Sequence, residues 1–484
     1  MAVLSAGCAQ LGIKSIPWWQ STDVHDVQTM DFLRRTPSVD AILGEGLSLK
    51  DMDDDERLVG LSVSGGGARA AAFTLGVLTG IEELGNNRAA ALRQSSPLDK
   101  LDFISSNSGG SWAVAAYVVD RAKRKDRYYS VREAVSERLG LAFVKMSRGR
   151  VPCWSRAMRE HLFGRSTFRN VYSASNPVPL PRVYLNAALM PAHSPFVFTD
   201  AFLSYYQVKH FGACWNDWTP PVNRIADVPI AFAASASGTV PGFYTAFATT
   251  GLCKEDSHLR ESSFCHATQK GGPRSFLRIS DGGLYDNIAY KTAYEVMLSE
   301  RGRSPGIRKS MILVNSGTSA DLQTVSEKDL RKSFLATTAM NGVFAVQDST
   351  FQRLYSRMFE SVGVDKTVLL DFYSLAKFPT GKDALLDGLD ELAFFAAHNV
   401  DCYVGDTLQR SGGKALPAVV PSARQSFHHL KQRGGDCASE NFYRVGNLSK
   451  TTFLADHELF TIMWQLGQLA VRMNEREVRA ATAT

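Results

Sequence analysis

Two short turns rich in glycine and serine carry the residue types that ester hydrolysis requires. The first is the glycine run 65–67 after an apolar stretch, and the second contains Ser108 after another apolar stretch. Consecutive glycines adopt positive φ and turn several N–H groups toward one point, where the next helix adds its positive dipole end. Such a cradle stabilises the charge on a carbonyl oxygen under attack, and a serine hydroxyl beside it is a nucleophile. Together the two turns predict a serine acyl hydrolase.

A nucleophilic serine needs a base, and a third turn offers one. Asp281 follows an apolar stretch and precedes Gly282 and Gly283. An aspartate can accept the proton directly when partial burial raises its proton affinity. The alternative is a Ser–Asp–His triad, in which the histidine follows the aspartate in the chain. The histidines available for such a triad are His398, His428, His429 and His457.

The glycine run also fits two other functions. Gly65, Gly67 and Ala70 match the G-x-G-x-x-G/A pattern of dinucleotide-binding proteins. That function needs a carboxylate at the end of the next strand, where the sequence has residues 105–108 without one. This argues against nucleotide binding, and a purely structural glycine turn is the remaining alternative.

Alternating strand-like and helix-like segments position the three turns and predict an α/β fold with a largely parallel sheet. Helices are predicted over 68–84 and from Trp112 to Val119, the first from its apolar residues at three- and four-residue spacing. Gly76 and Gly80 weaken the first helix, so they indicate close packing against the sheet. Strands are predicted at 58–64, 101–106, 182–189, 276–280 and 311–315.

The three turns resemble the motifs of the patatin-like phospholipases, a family that also includes the cytosolic calcium-dependent phospholipases. The similar segments are 59–69, 108–112, 233–242 and 279–287. The resemblance extends from about residue 57 to about residue 320 and, more loosely, to Val471.

The resemblance implies a patatin-like three-layer architecture, with a central, mostly parallel sheet flanked by helices. It also implies that a Ser/Asp dyad hydrolyses fatty-acyl esters of phospholipids or related lipids. By the same resemblance Ser108 is the nucleophile, Asp281 is the base, and Arg69 supports either a substrate phosphate or the loop. No metal or other cofactor is implied, and calcium dependence is not expected. The implied oxyanion-hole donors are the N–H groups of Gly65, Gly66, Gly67 and Gly109.

Two residues depart from the family pattern. Ala70 stands where many members have glycine, and Ser106 replaces the first glycine of the nucleophile turn. These departures motivate a second hypothesis, a catalytically disabled patatin-like protein that binds lipid or a protein partner.

Composition limits the partners. The 484 residues are 44% hydrophobic, which is enough for a large core, and the net charge is +6. That charge favours an anionic surface such as lipid headgroups and is too diffuse to indicate nucleic acid. We therefore expect a membrane-lipid substrate and a peripheral membrane surface as partners, with no nucleic acid. The basic cluster 121–127 is either a solvated helix face or a membrane contact.

The cysteines bear on the compartment. Residues 4–8 resemble a bacterial lipobox, in which Cys8 would be lipidated, although the preceding segment is short and lacks a basic residue. The other cysteines are even in number and would suit three disulfides in an oxidising compartment. We expect a periplasmic or outer-membrane lipoprotein, with a cytosolic protein containing reduced thiols as the alternative. These cysteines are Cys153, Cys214, Cys253, Cys265, Cys402 and Cys437.

Three regions are expected along the chain: an N-terminal extension at 1–55 that includes the possible signal remnant, a catalytic domain at 56–330, and a helical and loop region at 331–484 that completes the same domain. The aromatic-rich stretch 196–218 is either a lid or acyl-chain pocket over the site, or core packing. A zinc site is not expected, because the spacing of the nearby candidate ligands matches no common structural site. Those candidates are Cys253, His258, Cys265 and His266.

Overall fold

The computed structural model describes twelve segments of the chain, which are residues 57–85, 96–124, 129–148, 153–173, 180–190, 194–214, 217–240, 246–252, 275–303, 307–316, 357–372 and 457–482. The strands in chain order are β1 Arg57–Val63, β2 Phe103–Asn107, β3 Arg182–Met190, β4 Ser194–Val197, β5 Val208–Ala213, β6 Asp217–Trp218, β7 Ala246–Thr250, β8 Ser275–Asp281, β9 Arg308–Asn315 and β10 Val364–Asp371.

The α-helices in chain order are α1 Gly67–Gly85, α2 Ser108–Arg124, α3 Val131–Ala134, α4 Gly140–Arg148, α5 Trp154–Met158, α6 Phe168–Val171, α7 Asp200–Tyr205, α8 Ile230–Ser237, α9 Gly283–Asp286, α10 Tyr290–Arg303, α11 His457–Met473 and α12 Glu475–Thr482. Short π-helical turns at Val135–Leu139 and Arg159–Phe163 extend α3 and α5, and 3₁₀ turns lie at Pro97–Lys100 and Ile225–Asp227. None of these helices is long and apolar enough to cross a lipid bilayer.

The strands form one ten-stranded sheet in the order β10-β9-β1-β2-β3-β8-β7-β5-β6, with β4 paired to β3. Strands β10, β9, β1, β2 and β3 are parallel, and they include most of the strands expected from apolar runs. From β8 to β6 the pairing is antiparallel, as is the pairing of β4 with β3. The predicted α/β fold is thereby confirmed, and the antiparallel part is an addition that the sequence analysis did not foresee.

Helices cover both faces of the parallel strands. Ser62 and Ser105 are register partners, and their hydroxyls donate to the carbonyls of Ile288 and Ala289, just before α10. On the opposite face a Cβ added to Gly110 in α2 would lie 2.6 Å from the Val63 Cγ1. The sheet therefore forms the middle layer between α10 and α2.

The contact between α1 and α11 corrects one expectation. A Cβ added to Gly76 would lie 1.9 Å from the Trp464 carbonyl oxygen, and one added to Gly467 would lie 2.1 Å from the Phe73 carbonyl oxygen. A Cβ on Gly80 would meet the Val471 side chain at 2.8 Å. The glycines of α1 do allow close packing, but the partner is helix α11 and not the sheet.

The aromatic-rich stretch 196–218 is core for most of its length. Its rings pack against one another, with the centroids of Phe196 and Phe198 5.3 Å apart and those of Phe196 and Phe211 6.3 Å apart. Phe202 and Tyr206 complete the cluster and are fully buried. Of the two predicted alternatives for this stretch, core packing is therefore confirmed for these residues. Trp218 at the end of the stretch is 39% exposed.

The basic cluster 121–127 has one buried cation and two exposed ones among its described residues. Arg121 in the basic cluster is buried, donates to the Tyr117 hydroxyl over 2.6 Å and forms an ion pair with Asp99. Lys123 donates to the Phe163 carbonyl over 3.0 Å but is exposed, as is Arg124, and residues 125–127 lie outside the described residues. Arg121 therefore stabilises the fold from inside the protein, while a solvated face and a membrane contact both stay open for the exposed cations.

The structure contains one of the anticipated disulfides. Cys153 and Cys214 are bonded, with Cα atoms 5.4 Å apart. Cys8 and the remaining cysteines lie outside the described residues, and so do Cys253, His258, Cys265 and His266.

Candidate active site

Ser108 lies at a sharp turn from strand β2 into helix α2. Its φ is +46°, a left-handed value that L-residues other than glycine rarely adopt. Small neighbours permit this turn: a Cβ on Gly110 would lie 2.6 Å from the Ser64 carbonyl oxygen, so α2 can approach β1 only without that atom. This strained strand-to-helix geometry is typical of nucleophilic serines.

Ser106 fits the turn although it replaces a glycine of the family pattern. Its side chain is fully buried, and its hydroxyl accepts from the Ser111 hydroxyl over 3.1 Å. Ala70, the other departure, is also fully buried within α1. Both side chains are thus packed in the interior, and the Ser106 hydroxyl is hydrogen-bonded.

Asp281 at the end of β8 meets Ser108 although 173 positions separate them. The Ser108 hydroxyl donates to the Asp281 Oδ2 over 2.8 Å. The other carboxylate oxygen, Oδ1, accepts from the Gly283 N–H over 2.8 Å, and the Asp281 N–H donates to the Thr239 carbonyl. The two glycines after Asp281 thus let the chain fold back onto the carboxylate and leave Oδ2 for the serine.

Burial controls the protonation of this carboxylate. Ser108 is 5% exposed and Asp281 is 3% exposed. Desolvation raises the pKa of Asp281 to about 6, against the opposing effects of the hydrogen bonds from Gly283 and Ser108. Asp281 is therefore ionised at neutral pH and more basic than a solvated aspartate, which suits a group that accepts a proton from a hydroxyl.

The glycine loop lies directly against this pair. A Cβ added to Gly65 would lie 3.1 Å from the Ser108 Cβ, and one added to Gly109 would lie 1.8 Å from the Gly67 carbonyl oxygen. Gly66 and Gly67 have φ values of +135° and +63°. The loop can follow this path beside the serine because neither glycine carries a side chain.

The four expected oxyanion donors differ in their availability. The Gly65 N–H donates to the Asn287 carbonyl over 2.8 Å, so it is not available and its expected role is corrected. Among the residues that the structure describes, no acceptor is hydrogen-bonded to the N–H groups of Gly66, Gly67 and Gly109. Gly67 begins α1 and Gly109 is in the first turn of α2, so helix dipoles add positive potential at both groups.

Arg69 supports the loop from inside the protein. Its side chain is fully buried, its guanidinium lies 5.6 Å from the Phe372 ring centroid, and a Cβ on Gly66 would be 3.2 Å from its Nη2. A guanidinium enclosed in this way fits the expected loop support and not contact with a substrate phosphate.

Ser237 is a site residue that sequence reasoning did not single out. At the end of α8, its hydroxyl oxygen accepts from the Ser108 N–H over 2.9 Å and donates to the Asn186 carbonyl over 2.5 Å. It also lies 2.8 Å from the Ser111 hydroxyl, and its carbonyl accepts from the Gly282 N–H. The signal available in the sequence was its position in the segment 233–242, which resembles the family.

The residues after Asp281 hold the remaining loops in place. Asp286 is buried, which raises its pKa to about 6, and its carboxylate accepts from the N–H groups of Ile288 and Lys291. Its carbonyl accepts from the Asn107 side chain beside the nucleophile. Asp286 therefore shapes the start of α10, and it is Asp281 that contacts the serine.

Of the histidines considered for a triad, His398, His428 and His429 lie outside the described residues. His457 begins α11, and its side chain is not described. Within the described segments, Asp281 is the one side chain hydrogen-bonded to the Ser108 hydroxyl. In those segments no cluster of three or more acidic, histidine or cysteine side chains has an arrangement that would hold a metal ion.

Comparison with solved structures gives similarity to a human phospholipase. Human GIVD cytosolic phospholipase A2, solved in complex with methyl gamma-linolenyl fluorophosphonate inhibitor and terbium chloride, is 14% identical with a TM-score of 0.38; the match covers 94% of this chain and 65% of that chain. A second structure of the human GIVD enzyme is 13% identical with a TM-score of 0.40, over 94% of this chain and 67% of that one. The chain thus spans 65% of the length of the first of these proteins.

No curated protein matches the chain at a significant level. Residues 61–294 match the family model described as Patatin-like phospholipase, and this range includes the glycine loop, Ser108 and Asp281. The chain therefore contains a patatin-like phospholipase domain at residues 61–294.

Proposed function

We propose that the protein is a serine acyl hydrolase that cleaves fatty-acyl esters of phospholipids or related lipids through Ser108 and Asp281. The observation that carries this proposal is the 2.8 Å hydrogen bond from the Ser108 hydroxyl to the buried Asp281 carboxylate. The match of residues 61–294 to the patatin-like phospholipase model supports the lipid substrate class.

The geometry supports a two-step reaction. Asp281 Oδ2 accepts the hydroxyl proton as the Ser108 oxygen attacks the ester carbonyl, which forms a C–O bond and places negative charge on the carbonyl oxygen. The N–H groups of Gly66, Gly67 and Gly109 are the proposed donors to that oxygen. As the tetrahedral intermediate collapses, the bond to the leaving alcohol breaks and protonated Asp281 gives the alcohol its proton. In the second step Asp281 takes a proton from a water molecule as the water oxygen attacks the acyl carbon. The bond between the acyl group and the Ser108 oxygen then breaks, protonated Asp281 returns the proton to that oxygen, and the fatty acid leaves.

A dyad is favoured over a triad by the position of the carboxylate. The Asp281 oxygen occupies the acceptor position on the serine hydroxyl that an imidazole nitrogen would take in a triad. The hypothesis of a disabled, binding-only protein rested on Ser106 and Ala70, both of which the packing accommodates.

The test combines labelling with hydrolysis. A fluorophosphonate probe should label the wild type at Ser108, and Ser108→Ala should remove the label. Ser108→Ala and Asp281→Asn should each lower release of fatty acid from a panel of phospholipids, lysophospholipids and neutral glycerides by at least about 10³-fold. Circular dichroism should show that both variants remain folded.

Two results would contradict the proposal. Absence of labelling, with both variants matching the wild type, would favour the binding-only protein. A comparable loss on replacing any one of His398, His428, His429 or His457 with alanine would replace the dyad by a triad.

A further inference from the structure

Three aromatic side chains form a connected patch on the antiparallel part of the sheet, and we refer to Trp218, Phe247 and Phe276 as the aromatic patch. The ring centroids of Trp218 and Phe247 are 4.9 Å apart, those of Phe247 and Phe276 are 5.8 Å apart, and those of Trp218 and Phe276 are 6.3 Å apart. The rings come from β6, β7 and β8. Because they pack together, they form one continuous surface.

Two of the three rings of the patch are exposed. Trp218 is 39% exposed and Phe276 is 41% exposed, while Phe247 lies beneath them at 9%. Leu277 and Ile279, which alternate with Phe276 along β8, are buried on the other face of the strand. Large aromatic groups exposed together are unusual on a soluble surface and mark contacts with membranes or proteins.

The backbone beneath the patch is adapted to it. A Cβ added to Gly212 in β5 would lie 2.3 Å from the Phe247 ring, so this ring occupies the space that a side chain at Gly212 would fill. Phe247 in turn supports Trp218 and Phe276 from below. The two exposed rings are thus held on a rigid base instead of a loop.

The strand pairing places the patch beyond the edge of the sheet where the proposed active site lies. Asn107, next to Ser108, is in register with Asn186 of β3, and Asp281 pairs with the next residue, Ala187. The rest of β3 runs past that edge, where Met190 pairs with Arg278 of β8. Phe276 lies further along the same direction, five positions from Asp281, or about 17 Å at 3.4 Å per residue.

Charge near the patch matches a phospholipid surface. Arg278 is exposed on the same face of β8 as Phe276, two residues along the strand, and it pairs with Phe247. Lys209 on β5, the strand on the other side of β7, is also exposed. Aromatic side chains flanked by cations are the combination that inserts at the headgroup level of anionic bilayers.

The size of the patch argues against a stable protein partner. Two aromatic residues exposed to about 40% offer roughly 200 Å² of contact, whereas a stable protein interface buries about 800 Å² on each partner. A membrane does not require such an area from one patch, because electrostatic attraction adds to insertion.

We propose that the aromatic patch, with Arg278 and Lys209, is the surface through which the protein docks on an anionic phospholipid bilayer. Trp218 and Phe276 insert at the headgroup level and bring the edge that carries Ser108 and Asp281 toward the lipid. This inference rests on the proposed function for its choice of occupant, and it adds the face that the enzyme presents to its substrate.

Binding is measured with the Ser108→Ala protein, so that no lipid is consumed. The measurement is co-sedimentation of the protein with vesicles of phosphatidylcholine, prepared with and without phosphatidylglycerol. Trp218→Ala combined with Phe276→Ala should weaken partitioning to both vesicle types by about tenfold or more. Arg278→Glu should weaken binding to the vesicles that contain phosphatidylglycerol and leave binding to pure phosphatidylcholine unchanged.

Leu298→Ala is the matched control, because Leu298 is 37% exposed but lies on α10, away from the patch. Its vesicle binding should equal that of the parent, and thermal melts should show all variants folded. Unchanged binding in the double variant, or an equal loss in Leu298→Ala, would overturn the inference. So would copurification of the parent with a protein that the double variant fails to retain, if vesicle binding is unaffected.

Hydrolysis separates this inference from the proposed function. For hydrolysis Ser108 is intact and the wild type is the parent. The double variant should cleave a short-chain, monomeric ester at the wild-type rate and should cleave vesicle lipid more slowly than the wild type does. If the parent cleaves the monomeric ester but does not bind vesicles, this inference fails and the proposed function stands. If the parent cleaves neither substrate and still binds vesicles through the patch, the proposed function fails and the docking surface stands.

Discussion

The hydroxyl oxygen of Ser237 accepts a hydrogen bond from the backbone N–H of Ser108 over 2.9 Å. The strained residue that carries the proposed nucleophile is therefore held by a side chain from helix α8, 129 positions away in the chain. Because the Ser108 N–H is used in this way, it is not available as an oxyanion donor. The bond fixes the direction of the Ser108 side chain toward Asp281.

Replacing Ser237 with alanine should therefore disturb the site more than the core. The Ser108 N–H would lose its acceptor, which costs about 1–3 kcal/mol for a buried group, and the serine would be less well oriented. We expect kcat for ester hydrolysis to fall by about 10- to 100-fold. Ser235→Ala is the control, since the buried Ser235 hydroxyl bonds the Phe232 carbonyl within the same helix. Equal activity of the two variants would exclude a positioning role for Ser237.

The pH dependence of hydrolysis should follow Asp281. Burial raises its pKa to about 6, and the base must be ionised to accept the serine proton. We expect kcat/KM for a soluble ester to be low below this value and to rise through an apparent pKa of about 6.

Asp286 is the necessary control, because its pKa is also raised to about 6 by burial and it does not contact Ser108. The rising limb should keep its midpoint in Asp286→Asn, whatever the absolute activity. A midpoint near 4 would indicate that Asp281 is solvated in the working enzyme, and a midpoint that moves only when a histidine is replaced would indicate a triad.

Gly109→Ala should abolish hydrolysis through the geometry of the glycine loop. The new Cβ would lie 1.8 Å from the Gly67 carbonyl oxygen, a distance that no side-chain rotation relieves, so the loop must move away from Ser108. Loss of one oxyanion donor lowers kcat by about 10²- to 10³-fold, and we expect at least that effect. Gly251→Ala serves as control, because its nearest contact is the flexible end of Gln207, which can move aside. Full activity in Gly109→Ala would show that the loop does not bind the carbonyl oxygen.

Gly467→Ala should lower stability without changing the chemistry of folded molecules. Its Cβ would lie 2.1 Å from the Phe73 carbonyl oxygen and would push α11 away from α1. Overpacking of this kind costs about 1–3 kcal/mol, measured as the free energy of unfolding in urea. Arg472→Ala on the same helix removes a 3.3 Å ion pair with the Glu83 side chain and should cost less than about 1 kcal/mol. If the two variants are equally stable, the glycine contact is not required.

Several elements could be predicted because their signals are local. Strands β1, β2, β3, β8 and β9 are apolar runs, and α1 follows a glycine turn with regular apolar spacing. Short strands such as β4 and β6 carry too few residues to establish a period of two, so their positions depend on pairing with distant strands. The small residues of α1 indicated close packing, but a missing side chain does not specify whether a sheet or a helix fills the space.

The amino-acid sequence by itself determined the chemistry: a serine in a strand-to-helix turn, an aspartate before two glycines, and a glycine loop that exposes backbone N–H groups. Residue types and local turn preferences are sufficient for that inference. Only the tertiary structure decided which groups meet, because contacts across 129 and 173 positions arise from strand order and packing. It placed Asp281 and not Asp286 on the serine, used the Gly65 N–H for the Asn287 carbonyl, and recruited Ser237. The same packing buried the Asp281 carboxylate and thereby raised its pKa, a property of the surroundings that no local pattern contains.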